Sequence, residues 1–527
     1  SRAIGNQFNE LETLFATGEA LEALARKETR TQYSAAAELA RRIAVPEVEW
    51  RSLYALGRLS ERQGDLARAR DLYERSLLVA ERLGRGRSES STKHSRDDLY
   101  GDAIRLAVGA GDLTRAYAYI ERSRARALLD VLSTRTIELA SPRAQELLES
   151  ELRAREVEIA AARNVDLGLP NAAARLRNAK AEHAAALAEL RREFPQLARF
   201  FTLEPATLAE LQRALPSRTV VASYFVGRDS TTLLVITDTD VQVAAIPLGM
   251  AALAERARVL RATLRAFGTV DTMLADLSQL FAQPLAPMLA HASTVVILPH
   301  GPLYHVPFSA LSVQGKPLIE TWVVASALSG SALFDSLRAG PRAAPSTIAS
   351  LAPTESLPFT RLESLAISGS DAVLGAAATE TRARETRSDA LNLAAHVELD
   401  ASDPLAGAVM LARGDGDDGR LEVAEVFGLA QVPALVTLSA CDSAGSDVHG
   451  SEWIGLGGAF LTAGARTVVA THNRVSDLAA AVVMKRFYRE VRRRPAGEAL
   501  RAAALLAREY FPHPAHWAGF TLMGDFR

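Results

Sequence analysis

Two segments, ALNLAAH at 390–396 and ALVTLSAC at 434–441, decide the fold of this chain. Each begins as a short strand, and between them LEVAEVFGL (421–429) reads as a crossover helix. A strand, a helix and a second strand can lie with both strands parallel in one sheet and their carboxyl ends on one edge. The first strand runs into His396 and the second into Cys441. In an open α/β sheet, ligands bind in the crevice beyond the carboxyl ends of the strands, so this edge is where chemistry is expected.

Reading outward, the same alternation fills the chain from Pro205 onward. VVASYFV (220–226), TTLLVIT (231–237) and VQVAAIPL (241–248) read as neighbouring strands, and LAERARVLRATLRAF (253–267) as a helix. TVVILP (294–299) and RTVVATH (466–472) complete the strand candidates, which helical patterns separate, as in a mostly parallel α/β sheet. The Ala-, Pro-, Ser- and Thr-rich stretch from Gly340 to Ser356 reads as a flexible connection.

Residues 8–132 are helical in pattern throughout. WRSLYALGRLSERQGDLARARDLYERSL (50–77) and DDLYGDAIRLAVGAGDLTRAYAYIERSRA (97–125) share Gly-Asp breaks at Gly64-Asp65 and Gly111-Asp112. Small residues such as Gly57 and Ala69 let paired helices approach, and Gly64 and Gly111 suit the left-handed end of a helix. These are tetratricopeptide-like features, set against the plainer alternative of a helical bundle. The stretch GRGRSESSTKHSR (84–96) reads as the loop that widens the repeat beyond its usual period of about 34 residues. LESELRAREVEIAAARN (148–164) and NAAARLRNAKAEHAAALAELRREF (171–194) read as a long helical hairpin with solvated charged faces. The expected domains are thus 1–134 (helical repeats), 135–200 (hairpin linker) and 201–527 (α/β), the last divided into a companion sheet at 201–290 and a later part at 291–527 carrying the chemistry.

With 527 residues, 48% hydrophobic and 23% charged, the composition is that of an ordinary multidomain globular protein. Sixty basic against 62 acidic side chains leave a net charge of −2, so no overall electrostatic footprint for nucleic acid or an anionic membrane exists. One cysteine excludes an intrachain disulfide and a cysteine-based zinc site, and points to an intracellular, cytoplasmic setting. No apolar run approaches the length of a membrane span, and the first residues lack a signal-peptide layout. Starting at Ser1 without an initiator methionine, the chain is expected to be processed or truncated.

Cysteine and histidine together supply a nucleophile and a proton shuttle. The 45 positions between His396 and Cys441 are close to the histidine-to-cysteine spacing of about 50 in caspases. Cys441 stands in SACDSAG (439–445), where the chain must turn after a strand. Successive backbone N–H groups in such a turn can stabilise a thiolate and form an oxyanion hole. Taken singly, a cysteine at the end of a buried strand is commonly a small core residue, and a lone histidine a structural one. Their joint place on one sheet edge is what favours chemistry. His300 and His305 in HGPLYHVPF (300–308), like His513 and His516 in HPAHW (513–517), lack zinc-motif spacing and read as structural. Gly455, Gly457 and Gly458 read as helix-packing glycines, and no P-loop is present.

TVVILPHGPLYHVPFSAL (294–311), LNLAAHVELDASDPLAGAVML (391–411), ALVTLSACDSAG with the downstream AFLTAGARTVVATHNRVSD (434–477), and HPAHWAGFTLMGDFR (513–527) together resemble the CHAT domain. This family of caspase-like and separase-like cysteine peptidases is often fused to tetratricopeptide repeats. The resemblance implies a caspase-like α/β domain over roughly 200–527, a catalytic dyad of His396 and Cys441, and an oxyanion hole from the backbone of Val397 and Cys441. It also implies that Asp477 receives a basic P1 side chain, Arg above Lys, although Asp477 equally suits the start of a helix. Val397 departs from the family's glycine after the histidine, and Asn473 from an aromatic residue.

No metal or organic cofactor is implied. The expected partners are a protein substrate and a regulatory protein bound by the helical repeats. By analogy with relatives in bacterial antiviral defence and cell death, a gasdermin-like substrate or a guide-RNA effector complex is a further expectation. No membrane or direct nucleic-acid contact is expected. Two other readings stay open: a silent repeat scaffold that only binds proteins, favoured by Val397 and Asn473, and an acyl transferase using the same dyad.

Overall fold

Glycine followed by aspartate turns the chain twice in the amino-terminal region, and it does so by dividing two tasks between the two residues. The protein is described here by a computed structural model covering residues 2–82, 95–132, 142–166, 170–194, 205–354, 356–400, 403–414, 416–429, 431–439 and 455–527. Helix α3 (Pro46–Arg62) is followed by Gly64 at φ 80°, and α5 (Arg96–Gly109) by Gly111 at φ 74°, the left-handed region that a residue without Cβ enters freely. The Asp65 carboxylate then accepts from the Arg68 N–H at 3.1 Å, and Asp112 from the Arg115 N–H at 3.0 Å. These bonds cap the following helices, α4 (Leu66–Arg82) and α6 (Leu113–Leu132). Two earlier helices, α1 (Arg2–Ala23) and α2 (Thr29–Arg42), precede them. Within the expected loop at 84–96, Ser95 is the cap of α5 and Arg96 its first residue, and the rest lies outside the described residues.

The first two hairpins repeat one packing device. A Cβ on Gly57 of α3 would stand 2.5 Å from the Tyr73 ring of α4, and one on Gly18 of α1 would stand 2.7 Å from the Tyr33 ring of α2. Each tyrosine hydroxyl donates to a glutamate one turn beyond its glycine, Tyr73 to Glu61 and Tyr33 to Glu22, both at 2.8 Å. Arginines of the next hairpin close the row: Arg58 and Arg62 on Glu22, Arg105 on Glu61. The Gly-Asp turns pair α3–α4 with α5–α6, whereas this side-chain register pairs α1–α2 with α3–α4. Helices α7 (Pro142–Asp166) and α8 (Ala172–Glu193) follow. They group with the preceding helices in one unit, 1–126 with 143–198, and the second unit is 127–142 with 199–527. Among the described residues no helix is long and apolar enough to cross a membrane.

The second unit is built on an 11-stranded sheet. Its strands are β1 (Thr219–Val226), β2 (Thr231–Ile236), β3 (Val241–Ile246), β4 (Thr294–Leu298), β7 (Val323–Ser326), β8 (Ile348–Ala352), β9 (Val373–Leu374), β10 (Ala390–Leu393), β14 (Leu435–Leu438), β15 (Thr467–Thr471) and β16 (Phe520–Gly524). A small hairpin of β5 (Ser312–Val313) and β6 (Lys316–Pro317), and a side sheet of β11 (His396–Glu398), β12 (Ala408–Met410) and β13 (Arg420–Glu422), complete the described strands. Spatial order is β3-β2-β1-β4-β7-β16-β15-β14-β10-β8-β9. Strands β1, β4, β7 and β16 run parallel to one another, as do β15, β14, β10, β8 and β9, and the two blocks meet antiparallel at β15–β16. Strands such as β4 and β14 are buried along their whole length, which is why they read as continuous apolar runs.

Three expectations change. Strands β1–β3 form no separate companion sheet, because β1 pairs with β4 from Thr219↔Thr294 onward, and the change of block falls at β15–β16. The flexible connection expected from Gly340 to Ser356 contains β8, whose Ala- and Ser-rich residues pair in register with β10 (Ile348↔Ala390 to Leu351↔Leu393). Among the described residues, the crossover between β10 and β14 holds a five-residue α-helix, Val423–Phe427, a 3₁₀ turn, Pro404–Ala406, and the side sheet.

The Gly57–Tyr73 contact yields a stability test. Gly57→Ala should lower unfolding stability by about 1–3 kcal/mol through overpacking against the ring. Gly109→Ala, whose added Cβ meets nothing within 4 Å, should raise it by up to about 1 kcal/mol in the helix. Thermal or urea denaturation of both variants measures the contrast.

Candidate active site

The edge is set by the pairing of β10 with β14. Their register matches Asn392 with Thr437 and Leu393 with Leu438, a constant offset of 45 residues, and the Ser439 N–H donates to the Leu393 carbonyl at 3.0 Å as the strands end. Ala394 and Ala395 remain fully buried. His396 then emerges exposed as the first residue of β11, opposite Met410, with the half-buried Val397 opposite Val409. Cys441 lies outside the described residues.

Chain order marks this place independently. From β8 the chain passes outward through the helix Pro358–Ser368 to β9, and from β10 it passes the other way to β14. The gap between the ends of β8 and β10 is therefore a topological switch point, the kind of place where open α/β sheets form a crevice. One hydrogen bond spans it: the His396 Nε2 lies 3.0 Å from the Ser356 hydroxyl, in the loop after β8. Ser356 is in turn 2.8 Å from the Thr354 hydroxyl.

Asp477 stands at the start of the helix Asp477–Glu490, behind its capping residue Ser476. Its Oδ1 accepts from the Leu478 N–H at 3.0 Å, and its Oδ2 from the Phe359 N–H at 3.4 Å. Phe359 belongs to the first turn of the 358–368 helix, so one carboxylate faces the amino ends of two helices, the favoured place for an anion. Asn473, just past β15, is fully buried, and neither atom of its amide has a hydrogen-bond partner among the described residues. The adjoining His472 is also buried. Burial holds its imidazole down at about 4, against the raising effect of a hydrogen bond to the Tyr304 backbone.

Beneath the edge runs a buried polar row that sequence reasoning missed. Ser350 of β8, Asn392 of β10 and Thr437 of β14 stand side by side and are fully buried. Tyr488 and Thr437 share a hydrogen bond of 2.7 Å, the Thr437 hydroxyl donates to Asn392 Oδ1 at 2.6 Å, and Asn392 Nδ2 donates to Ser350 Oγ at 2.9 Å. Ser350 donates to Ser364 Oγ at 2.8 Å. The row ends on Glu363 of the 358–368 helix. Its Oε1 accepts from Asn392 Nδ2 and its Oε2 from the Ser439 hydroxyl, each at 2.8 Å. Burial pushes the Glu363 carboxyl up from 4.5 to about 7, against the lowering effect of these two bonds. The available signal is a helix begun by Pro358 with a lone glutamate on its buried side, masked by the loose composition of the stretch before it.

The other sequence candidates are structural. The His300 Nδ1 accepts from the Val226 N–H at 3.1 Å and its ring packs tilted against Phe225 at 4.6 Å between centroids, while desolvation and neighbouring arginines hold half-buried His305 down at about 3. His513 caps a short helix through the Ala515 N–H, and His516 stacks on Phe267. A Cβ on Gly457 would lie 2.3 Å from Met523 Cε, the close helix–sheet packing expected there. Among the described residues, no three His, Cys, Asp or Glu side chains are grouped to hold a metal.

Fold and site define a class: an α/β protein, preceded by helical hairpins, with a histidine beyond one parallel strand and a lone cysteine in the segment after the next. Residues 271–525 match the family model of the CHAT domain. The match leaves out 201–270, although β1–β3 from that stretch are continuous with the same sheet. A search of curated proteins finds no match. Among solved structures, two of the Saccharomyces cerevisiae separase–securin complex are similar at 9% and 8% identity, with TM-scores of 0.43 and 0.44. They cover 100% and 98% of this chain, which spans about half of the separase chains, 48% and 51%. A third structure, described as a protease, is similar at 12% identity with a TM-score of 0.32, over 52% of this chain and 76% of its own.

The Glu363 shift carries a stability prediction. A carboxyl whose folded pKa is raised keeps its proton in the folded state where the unfolded chain has lost it, so its contribution falls as pH rises from 4.5 through about 7. Urea unfolding should therefore show Glu363→Gln gaining stability relative to the parent across that window, by up to about 3 kcal/mol at pH 8.

Proposed function

We propose that the CHAT domain is a cysteine endopeptidase acting through His396 and Cys441. The observation that carries this reading is the β10–β14 register: paired residues differ by 45 positions, and so do His396 and Cys441, each three residues beyond the last matched pair. The Cys441 thiolate attacks the scissile carbonyl, and the leaving amine takes a proton from His396. Water activated by His396 then hydrolyses the acyl-enzyme. Backbone N–H groups of Val397 and Cys441 stabilise the oxyanion.

Asp477 selects an arginine at P1. Its carboxylate already accepts two backbone bonds, yet each oxygen retains capacity for a guanidinium. The substrate is a protein, and the helical unit recruits it or a regulatory partner, since stacked hairpins expose an extended binding face. The domain acts in the cytoplasm without a metal or organic cofactor. The rival reading, a silent scaffold, draws on Val397, whose β-branched side chain restricts the backbone beside the oxyanion.

Arginyl fluorogenic peptides, assayed with and without cell lysate as a source of activators, test the reading. Turnover should vanish in both Cys441→Ala and His396→Ala. Asp477→Ala should lower kcat/KM for arginyl substrates by about 10- to 100-fold, the worth of a charged hydrogen bond, and leave other P1 residues unaffected. Absence of turnover under every condition would favour the scaffold.

A further inference from the structure

Glu363 joins the two strands on which the proposed dyad depends. Its two carboxyl oxygens reach different strands, one to Asn392 of β10, four residues before His396, and one to Ser439, two residues before Cys441. The contact falls where the backbone ladder stops, since Ser439 makes its bond to Leu393 just past the last matched pair. We propose that Glu363 is a positioning residue, whose carboxyl clamps the ends of β10 and β14 and sets the direction of the Ser439 hydroxyl.

The observed bonding pattern sets where a proton on the carboxyl goes. The Asn392 amide turns its nitrogen toward Glu363 and its oxygen toward the donating Thr437 hydroxyl, which shares a further hydrogen bond with Tyr488. With an amide N–H on Oε1, a proton on the carboxyl sits on Oε2. There it donates to Ser439 Oγ, reversing the bond observed at 2.8 Å, and the Ser439 hydrogen must find another acceptor. Ionised Glu363 holds Ser439 as a donor, and protonated Glu363 releases that donor at the start of the segment carrying Cys441. Burial places this change near neutral pH. Among the described titratable groups, Tyr488 from the 477–490 helix faces the carboxyl, with Arg342 near Tyr488. The strands contribute the neutral side chains of Ser350, Asn392 and Thr437 to the row, and Ser439 follows β14.

The catalytic meaning of this clamp rests on the peptidase reading, but its test does not. Because Cys441 is the only cysteine, alkylation of the full-length chain by iodoacetamide reports on that thiol alone. Rates measured from pH 5.5 to 9.5 in a His396→Ala background, which removes imidazole titration, should show two inflections, one near 7 and one from the thiol itself. Glu363→Gln, which keeps shape and hydrogen-bonding capacity, should lose the lower inflection and change the rate at pH 6 or pH 8 by about fivefold, the effect of one hydrogen bond. Ser439→Ala should do the same, and the exposed-site control Glu255→Gln should match the parent background. Profiles of Glu363→Gln and Ser439→Ala that coincide with the background overturn the proposal. If those profiles differ while no arginyl peptide is cleaved by the chain with His396 intact, the clamp stands and the peptidase reading falls. Cleavage combined with unchanged profiles leaves the peptidase reading standing and removes the clamp.

Discussion

The buried amide of Asn392 is the point on which the site side of the sheet depends. Its oxygen is committed to Thr437 on one neighbouring strand, and its nitrogen to Ser350 on the other and to Glu363 on the covering helix. Four elements are thereby fixed by one planar group with no spare capacity at its nitrogen. A buried amide left unsatisfied on one side costs about 1–3 kcal/mol, so displacing any one partner loads the rest of the row. Such a network holds one arrangement of strands and helix against others that the same apolar residues could pack into, because an apolar contact tolerates sliding and this set of bonds does not.

The covering helix gains its importance from what lies at its two ends. Its first turn offers the Phe359 N–H to Asp477, the loop before it places Ser356 on His396, and its middle carries Glu363 and Ser364 into the polar row. One segment of 11 residues and its approach loop therefore touch β10, the continuation of β14 and the start of the 477–490 helix. A shift of this helix would move the surroundings of His396 and Asp477 together.

Much of the fold is legible because buried parallel strands are written as apolar runs: β4, β10, β14 and β15 all stand out. Strand β8 does not, since IASLA is small and polar-flecked, and its identity comes from Ile348–Leu351 pairing with β10 more than from its own propensity. The switch point is hidden with it, because strand order cannot be read while one of the two strands flanking the gap is missing. The polar row is invisible for a related reason. Serine, asparagine, threonine and glutamate at 350, 392, 437 and 363 lie far apart in sequence, and each alone is an ordinary polar residue. The Gly18–Tyr33 and Gly57–Tyr73 pairs are within reach, as a glycine with a glutamate four residues on and a tyrosine in the next helix, yet the more conspicuous Gly-Asp turns point to the later hairpins.

The reversal of direction at β15–β16 gives the sheet two carboxyl edges, and they are filled differently. Each parallel block has its own carboxyl end, and the two ends lie on opposite edges of one sheet. At the carboxyl end of the first block, His300 bonds the Val226 N–H and packs against the Phe225 ring, and the residue is fully buried. At the other edge the ends of β8 and β10 diverge, one chain leaving toward β9 and the other toward β14, and an exposed histidine occupies the gap. The same residue type thus takes opposite parts on the two edges. The chain also parts at the first block's end, β1 leaving toward β2 and β4 toward β7, so strand order alone does not separate the two edges. What separates them is how each gap is filled: a buried histidine bonded to the backbone packs one, and an exposed histidine held by the Ser356 hydroxyl stands at the other.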